Sequence, residues 1–341
     1  MGRLTRRQFV AGSVAAGIAA TIARRGGASE NASDRAPRTL ALETYVKRSF
    51  NYLTRMVDES GVPYFDVFWT TPAEAAHDWP DFGDVMSRQL QAAVMARRMT
   101  GETVGTERIW REKVLSYLDP DSGLLFRPKT NYSDHVAAWG DQALTLYALV
   151  TSYVDGDDET LRKPIFKMVD TLLEQAKAPG YAGHGAFEGF MIKSLTACAR
   201  SMDYGPALEF AELIVKRVFV DGPYFTPDNT FRHGGHMHGN LRSLVGAADY
   251  ALAVGDPVLY SRVEALYRYV RSESTRFGFL PEVIGRKGDV IACETCALMD
   301  YVGLAVTLAN HGHPEYWGDI ERVVRNHLIE SQLVDGSWLT S

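Results

Sequence analysis

The chain of 341 residues contains only three cysteines, Cys198, Cys293 and Cys296. Three cysteines are too few for a disulfide framework to stabilise a protein of this size. The chain also lacks an excess of basic residues, because 42 Asp and Glu outnumber 36 Lys and Arg. Proteins that bind nucleic acid need a positive surface, so this composition argues against nucleic acid as a partner.

No long apolar run marks a membrane-spanning helix near the N-terminus. The apolar run that follows the segment TRRQFV ends at Ala23 and includes Gly12 and Gly17. It holds roughly 15 residues, whereas a transmembrane helix needs about 20 strongly apolar residues. The sequence therefore predicts no stable membrane anchor.

The same segment has the order of residues typical of a twin-arginine export signal. Arg6 and Arg7 precede Phe9 and the mildly apolar run, which gives way to Arg24, Arg25 and a polar stretch. We predict that residues 1–34 form a signal peptide and spacer, and that residues 35–341 form one domain. The export machinery would then carry the protein to the periplasm or the cell exterior. An ordinary basic N-terminus is the alternative interpretation.

Helical periodicity dominates the rest of the chain, and no long alternating strand pattern competes with it. Five glycine-centred breaks interrupt the helical pattern at intervals of 55, 49, 50 and 57 residues: Gly101, Gly156, Gly205, Gly255 and Gly312. Each break separates two amphipathic segments, which is typical of the turn in an αα-hairpin. The sequence thus contains a repeat of about 50 residues.

Longer linkers separate these hairpins, which follow a leading helix near 41–58. The linkers are 59–82, 118–137, 178–186, 219–237 and 274–292. Short turns and long loops alternate strictly, so all long loops should emerge at one end of the array. We predict an all-α fold, an (α/α)6 toroid with about eleven helices. A complete toroid has twelve, so we expect an incomplete ring or a fragment.

The long loops are rich in aromatic and ionisable residues, which places the expected binding site at their end of the fold. Trp79 could stack on the apolar face of a sugar while Asp81 accepts hydrogen bonds from hydroxyl groups. His135, in the next long loop, is a further candidate for contacting substrate. Alternatively, Trp79 belongs to the hydrophobic core.

The segment Cys293-Glu294-Thr295-Cys296 lies at the start of a predicted helix. The carboxylate of Glu294 and the thiolate of Cys296 could ligate one metal ion, most naturally zinc. A helix N-terminus would also lower the pKa of a thiol and make it more reactive. The alternative is a glutamate in the first turn of a helix beside two small buried cysteines.

Glu282 lies in the preceding loop, next to Phe279, Leu280 and Pro281. Apolar neighbours raise the pKa of a carboxyl group, so Glu282 could act as a general acid. Most glutamates in loops are simply solvated, and that interpretation remains open.

Three histidines occur in the segment FRHGGHMHGN: His233, His236 and His238. We expect His236, His238 and Asn240 to donate and accept hydrogen bonds from a polar ligand. Zinc chelation by the histidines is the second interpretation, and capping of a helix by Asn240 is the structural alternative.

Several short motifs in residues 230–334 resemble glycoside hydrolase family 127, the family typified by β-L-arabinofuranosidases. Their order and spacing match, while similarity upstream is only architectural. The matching elements are His238-Gly239-Asn240, Gly246, Gly255-Asp256, the Gly278-to-Glu282 loop, Glu294-Thr295-Cys296-Ala297, Glu321-Arg322 and Asn326.

The resemblance implies an (α/α)6 catalytic domain, a bound zinc ion and a retaining mechanism with a cysteine nucleophile. Glu294 and Cys296 would then be zinc ligands, Glu282 the general acid/base, and His238 with Asn240 sugar contacts. The family's nucleophile and a further zinc ligand come from a downstream Cys-Cys pair, and no cysteine follows Cys296. The β-rich portion of the family is also absent. The chain therefore resembles the N-terminal two-thirds of such an enzyme.

Three hypotheses about function follow. The first is an exported zinc-dependent glycoside hydrolase acting on sugars from plant or bacterial polysaccharide, active or truncated. The second keeps the toroid but replaces the chemistry with that of a metal-independent lyase or uronyl hydrolase. The third is a glycan-binding protein without catalytic activity.

Overall fold

A computed structural model describes residues 40–68, 74–77, 79–103, 105–132, 134–222, 224–232, 235–284 and 292–332. The predicted signal, residues 1–34, and His233 lie outside these ranges. Within them the chain forms eleven α-helices: α1 (Leu42–Leu53), α2 (Phe82–Thr100), α3 (Gly105–Ser116), α4 (Trp139–Gly156), α5 (Arg162–Lys177), α6 (Phe190–Met202), α7 (Gly205–Val215), α8 (Met237–Val254), α9 (Pro257–Glu273), α10 (Thr295–Asn310) and α11 (Trp317–Val323).

The even-numbered helices α2, α4, α6, α8 and α10 form an inner layer in which each helix packs against the next one of the series. They are buried on most sides: in α4 the residues from Ala143 to Tyr153 are all buried. The outer helices bury only one face, as in α5, where Ile165, Val169 and Leu172 are buried while Asp170 and Glu174 are exposed. This difference in burial follows the difference in hydrophobic pattern, since a helix covered on all sides must be apolar on all sides. The prediction of an all-α toroid is confirmed.

Every predicted break coincides with a short turn, although glycine does not make all of them. Gly101 and Gly255 end α2 and α8 with φ angles of 72° and 74°. Aspartates take that left-handed position after α4 and α6, where Asp157 and Asp203 have φ angles of 48° and 53°. A short polar side chain tolerates the left-handed region better than other non-glycine residues do.

Smaller features depart from a purely α-helical pattern. Strands β1 (Asp66–Phe68) and β2 (Glu74–Ala76) form a short antiparallel pair between α1 and α2. Two outer helices end in a π-helical turn, at Lys216–Val220 and Val324–Leu328. Among the described residues, no helix combines the length and the apolar character that crossing a bilayer requires.

The two ends of the described chain meet. The side-chain amide of Gln332 donates hydrogen bonds to the carbonyl oxygen of Tyr45 (2.8 Å) and to the hydroxyl oxygen of Ser49 (2.7 Å) on α1. These bonds join residues separated by 287 and 283 positions in the sequence. They bring the segment after α11 against the first helix, so the helices are arranged in a ring.

Candidate active site at the loop end of the ring

All five inner helices begin at the end of the ring where the long loops lie, so their first turns surround its centre. Charged side chains from α2, α4, α8 and α10 converge there. We call this set the central cluster: Asp84, Arg88, Asp141, His238, Arg242, Glu294, Cys296 and Asp300. The cluster contains sequence-predicted residues together with others that the sequence analysis did not single out.

His238 and Asp300 form the best-buried polar pair of the cluster, with 5 % and 3 % of their surfaces exposed. His238 Nδ1 lies 2.8 Å from Asp300 Oδ2, and Arg242 Nη1 donates to Asp300 Oδ1 at 3.4 Å. Burial alone would raise the pKa of Asp300, but the hydrogen bond from His238 and the charge of Arg242 outweigh it and lower that pKa. Asp300 is therefore ionised, and it accepts the Nδ1 proton of His238.

Arg88, on α2, contacts both its own helix and His238 on α8. Its guanidinium group donates to the carboxylate of Asp84 on the same helix, while its Nη2 atom lies 3.2 Å from His238 Nε2. Burial lowers the pKa of Arg88, but Asp84 and then Asp300 more than compensate. Because an arginine can only donate, Nε2 of His238 is the acceptor in this contact.

Asp141, in the first turn of α4, is the acid of the cluster. Only 7 % of the residue is exposed, and its Oδ2 atom is buried without a hydrogen bond. Burial, followed by the charge of Asp84, raises the pKa of Asp141 to about 7. Arg127 opposes this shift from 3.9 Å. Its guanidinium group is already hydrogen-bonded to the carbonyl oxygens of Pro80, Asp134 and Val136. A substantial fraction of Asp141 therefore still holds its proton at neutral pH, where an exposed aspartate is ionised.

Glu294 and Cys296 lie at the start of α10, as the sequence predicts. His236 Nε2 is 3.1 Å from Glu294 Oε2, at an angle that does not make a hydrogen bond, and Oε2 is buried without another partner. Burial, followed by the adjacent carboxylate of Glu294, raises the pKa of Cys296, while Arg88 opposes the shift. The thiol is therefore protonated, and the position at a helix N-terminus does not activate it.

These residues were tested as a zinc site. Within the part of the chain that the structure describes, no three His, Cys, Asp or Glu side chains are grouped closely enough to hold a metal ion. The unpartnered Glu294 Oε2 and the neighbouring Cys296 would supply two ligands, whereas a structural or catalytic zinc site takes at least three from the protein. The described residues therefore do not by themselves make a zinc site.

Glu282 lies next to the start of α8. Its backbone N–H donates to Ala292 at 2.9 Å and its carbonyl accepts from the Met237 N–H at 2.7 Å. The adjacent Val283 pairs with His236. This pairing holds the Glu282 backbone beside the histidines. Its role as a general acid stays a prediction.

Asn240 is buried, and its amide donates to the carbonyl oxygen of His236 at 3.1 Å. That bond lies within the first turn of α8, so this amide proton is hydrogen-bonded to the helix backbone. His236 itself is half-exposed at the start of the helix. The two residues therefore differ in access: His236 faces the loop end, while Asn240 supports the turn that carries His238.

The remaining predicted contacts lie toward the Asp141 side of the site. Trp79 is partly buried and stacks on His77, with ring centroids 4.8 Å apart, which agrees with its interpretation as a core residue. Asp81 is exposed at the start of α2, and its charge contributes to the raised pKa of Asp141. His135 is exposed and its Nδ1 bonds to the carbonyl oxygen of Arg127.

Five members of the cluster were not predicted from the sequence: Asp84, Arg88, Asp141, Arg242 and Asp300. Each is a charged residue on an inner helix that is otherwise mostly apolar, as in CALMDYVGL around Asp300. A buried charge is costly unless it is paired, so a charge on such a helix is a usable signal.

The chain was compared with known proteins. No family model and no curated protein sequence matches it. Among solved structures, a sugar epimerase from a ruminal bacterium has a TM-score of 0.67 at 11% identity over 86% of this chain and 87% of the other. Cellobiose 2-epimerase from Spirochaeta thermophila has 0.64 at 16% identity over 89% of both chains.

A third solved structure comes from the family that the sequence motifs resemble. It is a β-L-arabinofuranosidase of glycoside hydrolase family 127 from Geobacillus stearothermophilus T6, with a TM-score of 0.58 and 14% identity over 90% of this chain. The match covers 52% of that protein, so the chain spans about half its length. Identities this low establish a shared fold and no more.

Proposed function

We propose that the protein is a glycoside hydrolase that binds carbohydrate at the loop end of the ring and cleaves it there. Similar rings in solved structures belong to proteins described as sugar epimerases and arabinofuranosidases, which supports a carbohydrate substrate. The substrate would derive from plant or bacterial polysaccharide, which an exported enzyme would encounter.

One observation carries the proposal: two carboxyl groups in the same site have different surroundings. Asp141 is buried and its pKa is raised to about 7, whereas Asp84 is paired with Arg88. Such a pair supplies an acid and a base to the same reaction. Asp141 would donate its proton to the glycosidic oxygen as the bond to the anomeric carbon breaks. Ionised Asp84 would take a proton from the water that attacks that carbon.

Exchange of Asp141 for asparagine tests this assignment. Asp141→Asn removes the transferable proton and preserves the shape of the side chain, so kcat should fall about 10²- to 10⁴-fold with KM little changed. The measurement is the release of reducing sugar from a panel of plant and bacterial oligosaccharides. Asp121→Asn, at an exposed carboxylate in the loop before α4, is the matched control. Equal activity of the two variants would contradict the proposal.

A second candidate is the zinc-dependent, β-L-arabinofuranosidase-like hydrolase, with Glu282 as general acid/base. The unpartnered Glu294 oxygen beside Cys296 and His236 favours it, since a cation would neutralise the cluster of acceptors. When bound, zinc would supply a Lewis acid that lowers the pKa of its cysteine ligand. Glu294 and Cys296 would hold the ion, with further ligands from outside the described residues. Zinc analysis of protein purified without chelators is decisive, because active protein without zinc excludes this candidate.

A further inference from the structure

A cavity lies apart from the central cluster, on the outer wall of the ring. Its volume is about 550 Å³, within the usual range for sites that bind small molecules. The segment made of residues 220–222 and 224–232 forms one side and the outer helix α9 forms the other, and no residue of the central cluster lines it. The cavity is therefore a separate feature and needs its own explanation.

Two arginines that form no ion pair among the described residues line this cavity. Arg262, on α9, is half-buried and donates to the carbonyl oxygen of Phe219, and burial lowers its pKa. Arg232 is exposed at the end of the segment. Asp221 and Asp228 belong to the same segment, yet within the described residues neither forms an ion pair with either arginine. Other outer-layer arginines do have such partners: Arg271 pairs with Asp319 at 2.7 Å. The cavity therefore carries an unneutralised positive charge in an acidic protein.

The segment is preformed rather than loose. Phe225 pairs with Phe231 as an isolated bridge, and the hydroxyls of Thr226 and Thr230 bond at 2.8 Å. Asn229 closes the turn with a φ angle of 58°. A ligand entering this cavity would not have to order the segment, which saves binding free energy.

The rest of the lining combines apolar and hydrogen-bonding groups. Val220 is 70% exposed and Pro227 is also exposed, while Asn229 and Ser261 present an amide and a hydroxyl group. Guanidinium groups bind carboxylates through paired, charge-assisted hydrogen bonds. Apolar carbons beside amide and hydroxyl groups suit a sugar ring, which has C–H faces and a rim of hydroxyls.

We propose that this cavity is a binding subsite for an acidic sugar, whose carboxylate lies between Arg232 and Arg262. The sugar ring would lie against Val220 and Pro227, and its hydroxyls would meet Asn229 and Ser261. Such a subsite would hold an anionic glycan on the outer wall, apart from the ring centre. It does not depend on the proposed glycosidase activity, because it is assigned from binding groups alone.

Titration calorimetry with α-1,4-linked trigalacturonate tests the subsite, and the neutral galactose trimer is the comparison ligand. We expect trigalacturonate to bind at least about tenfold more tightly than the neutral trimer, since charge-assisted hydrogen bonds are worth that much. Arg232→Ala should remove about tenfold of the affinity for trigalacturonate and leave the neutral trimer unaffected. Arg232 is exposed, so this change should not disturb folding. Arg55→Ala, at an exposed arginine in the turn after α1, is the matched control and should bind as the unaltered protein does.

Three results would overturn the assignment. Equal affinities for the charged and neutral trimers would remove the role of the carboxylate. If Arg232→Ala and Arg55→Ala bound trigalacturonate with equal affinity, the ligand would bind at another place, such as the ring centre. Binding of inorganic sulfate as tight as that of trigalacturonate, and equally dependent on Arg232, would make the cavity a site for small inorganic anions. Calorimetry measures binding and not turnover. These three outcomes can therefore be interpreted even if the protein has no glycosidase activity.

Discussion

At the scale of single residues, environment separates two aspartates that look alike in the sequence. Asp84 has Arg88 one helical turn away and bonds to it. Asp141 lies against Gly83, where a Cβ atom would come within 2.5 Å of the Asp141 Cβ, and the two cations that lower its pKa, Arg127 and Arg88, are both bonded to other groups. The same side chain is therefore proposed as a base in one position and as an acid in the other.

The raised pKa of Asp141 also predicts how stability depends on pH. The unfolded carboxyl titrates near pH 4 and the folded one near pH 7, so the folded state holds an extra proton between these values. The contribution of Asp141 to the free energy of unfolding is fully present below pH 4 and is lost as the pH rises to 7. Asp141→Asn should therefore be more stable than the unaltered protein at pH 8, by up to roughly 4 kcal/mol. Urea unfolding of both proteins from pH 4 to 8 measures the difference, and a constant difference would contradict the assigned pKa.

Replacement of Asp300 by asparagine should lower the free energy of unfolding, whereas the same replacement of Asp141 should raise it at pH 8. Asp300→Asn leaves Arg242 buried without its counter-ion and leaves one acceptor oxygen where His238 and Arg242 now use two, which should cost about 3–5 kcal/mol. Glu321→Gln breaks an exposed pair with Arg325 on α11 and should change stability little, which makes it the control. Denaturant unfolding at pH 7 compares the two. A small effect of Asp300→Asn would show that the cluster is solvated.

At the scale of helices, close contact between inner helices fixes where the first turns meet. Gly246 of α8 faces α6, and a Cβ atom there would lie 2.8 Å from the backbone nitrogen of Lys193 and 2.9 Å from Ile192 Cβ. Backbone atoms cannot move aside as a flexible side chain can. The glycine therefore sets the spacing of two helices that bring His238 and Phe190 within 5.3 Å, measured between ring centroids.

Adding one methyl group at this contact should separate the helices. Gly246→Ala is expected to destabilise the protein by about 1–3 kcal/mol through overpacking. Gly318→Ala is the control: nothing lies within 4 Å of that Cβ position in α11, and alanine favours a helix by up to about 1 kcal/mol. Thermal unfolding of both variants gives the comparison. Equal melting temperatures would mean that the α6–α8 contact is not close in solution.

At the scale of the whole molecule, bonds between distant parts of the chain make the ring. Gln332 reaches α1, and Arg88 reaches His238, across 287 and 150 sequence positions respectively. A site assembled from such distant segments exists only when the chain is folded. An export route that carries folded protein would suit such a site, because it could assemble before export.

The twin-arginine prediction can be tested directly on the full chain. Arg6 and Arg7 are the pair that the export machinery would recognise, so changing both to lysine should leave most of the protein in the cytoplasm. Arg24→Lys with Arg25→Lys keeps the same charges beyond the apolar run and should not impair export. Fractionation of cells that produce each variant measures the distribution. Retention of both variants, or of neither, would contradict the predicted signal.

The sequence by itself determined the helical ring and the end where the loops gather, because helical periodicity and turn spacing are local properties. It also singled out His238, Glu294 and Cys296, because short local motifs contain them. Only the tertiary structure decided that the pKa values of Asp141 and Cys296 are raised and that Asp300 bonds to His238. Those states depend on burial and on charges from other helices, and short-range sequence patterns do not encode which distant charges will meet.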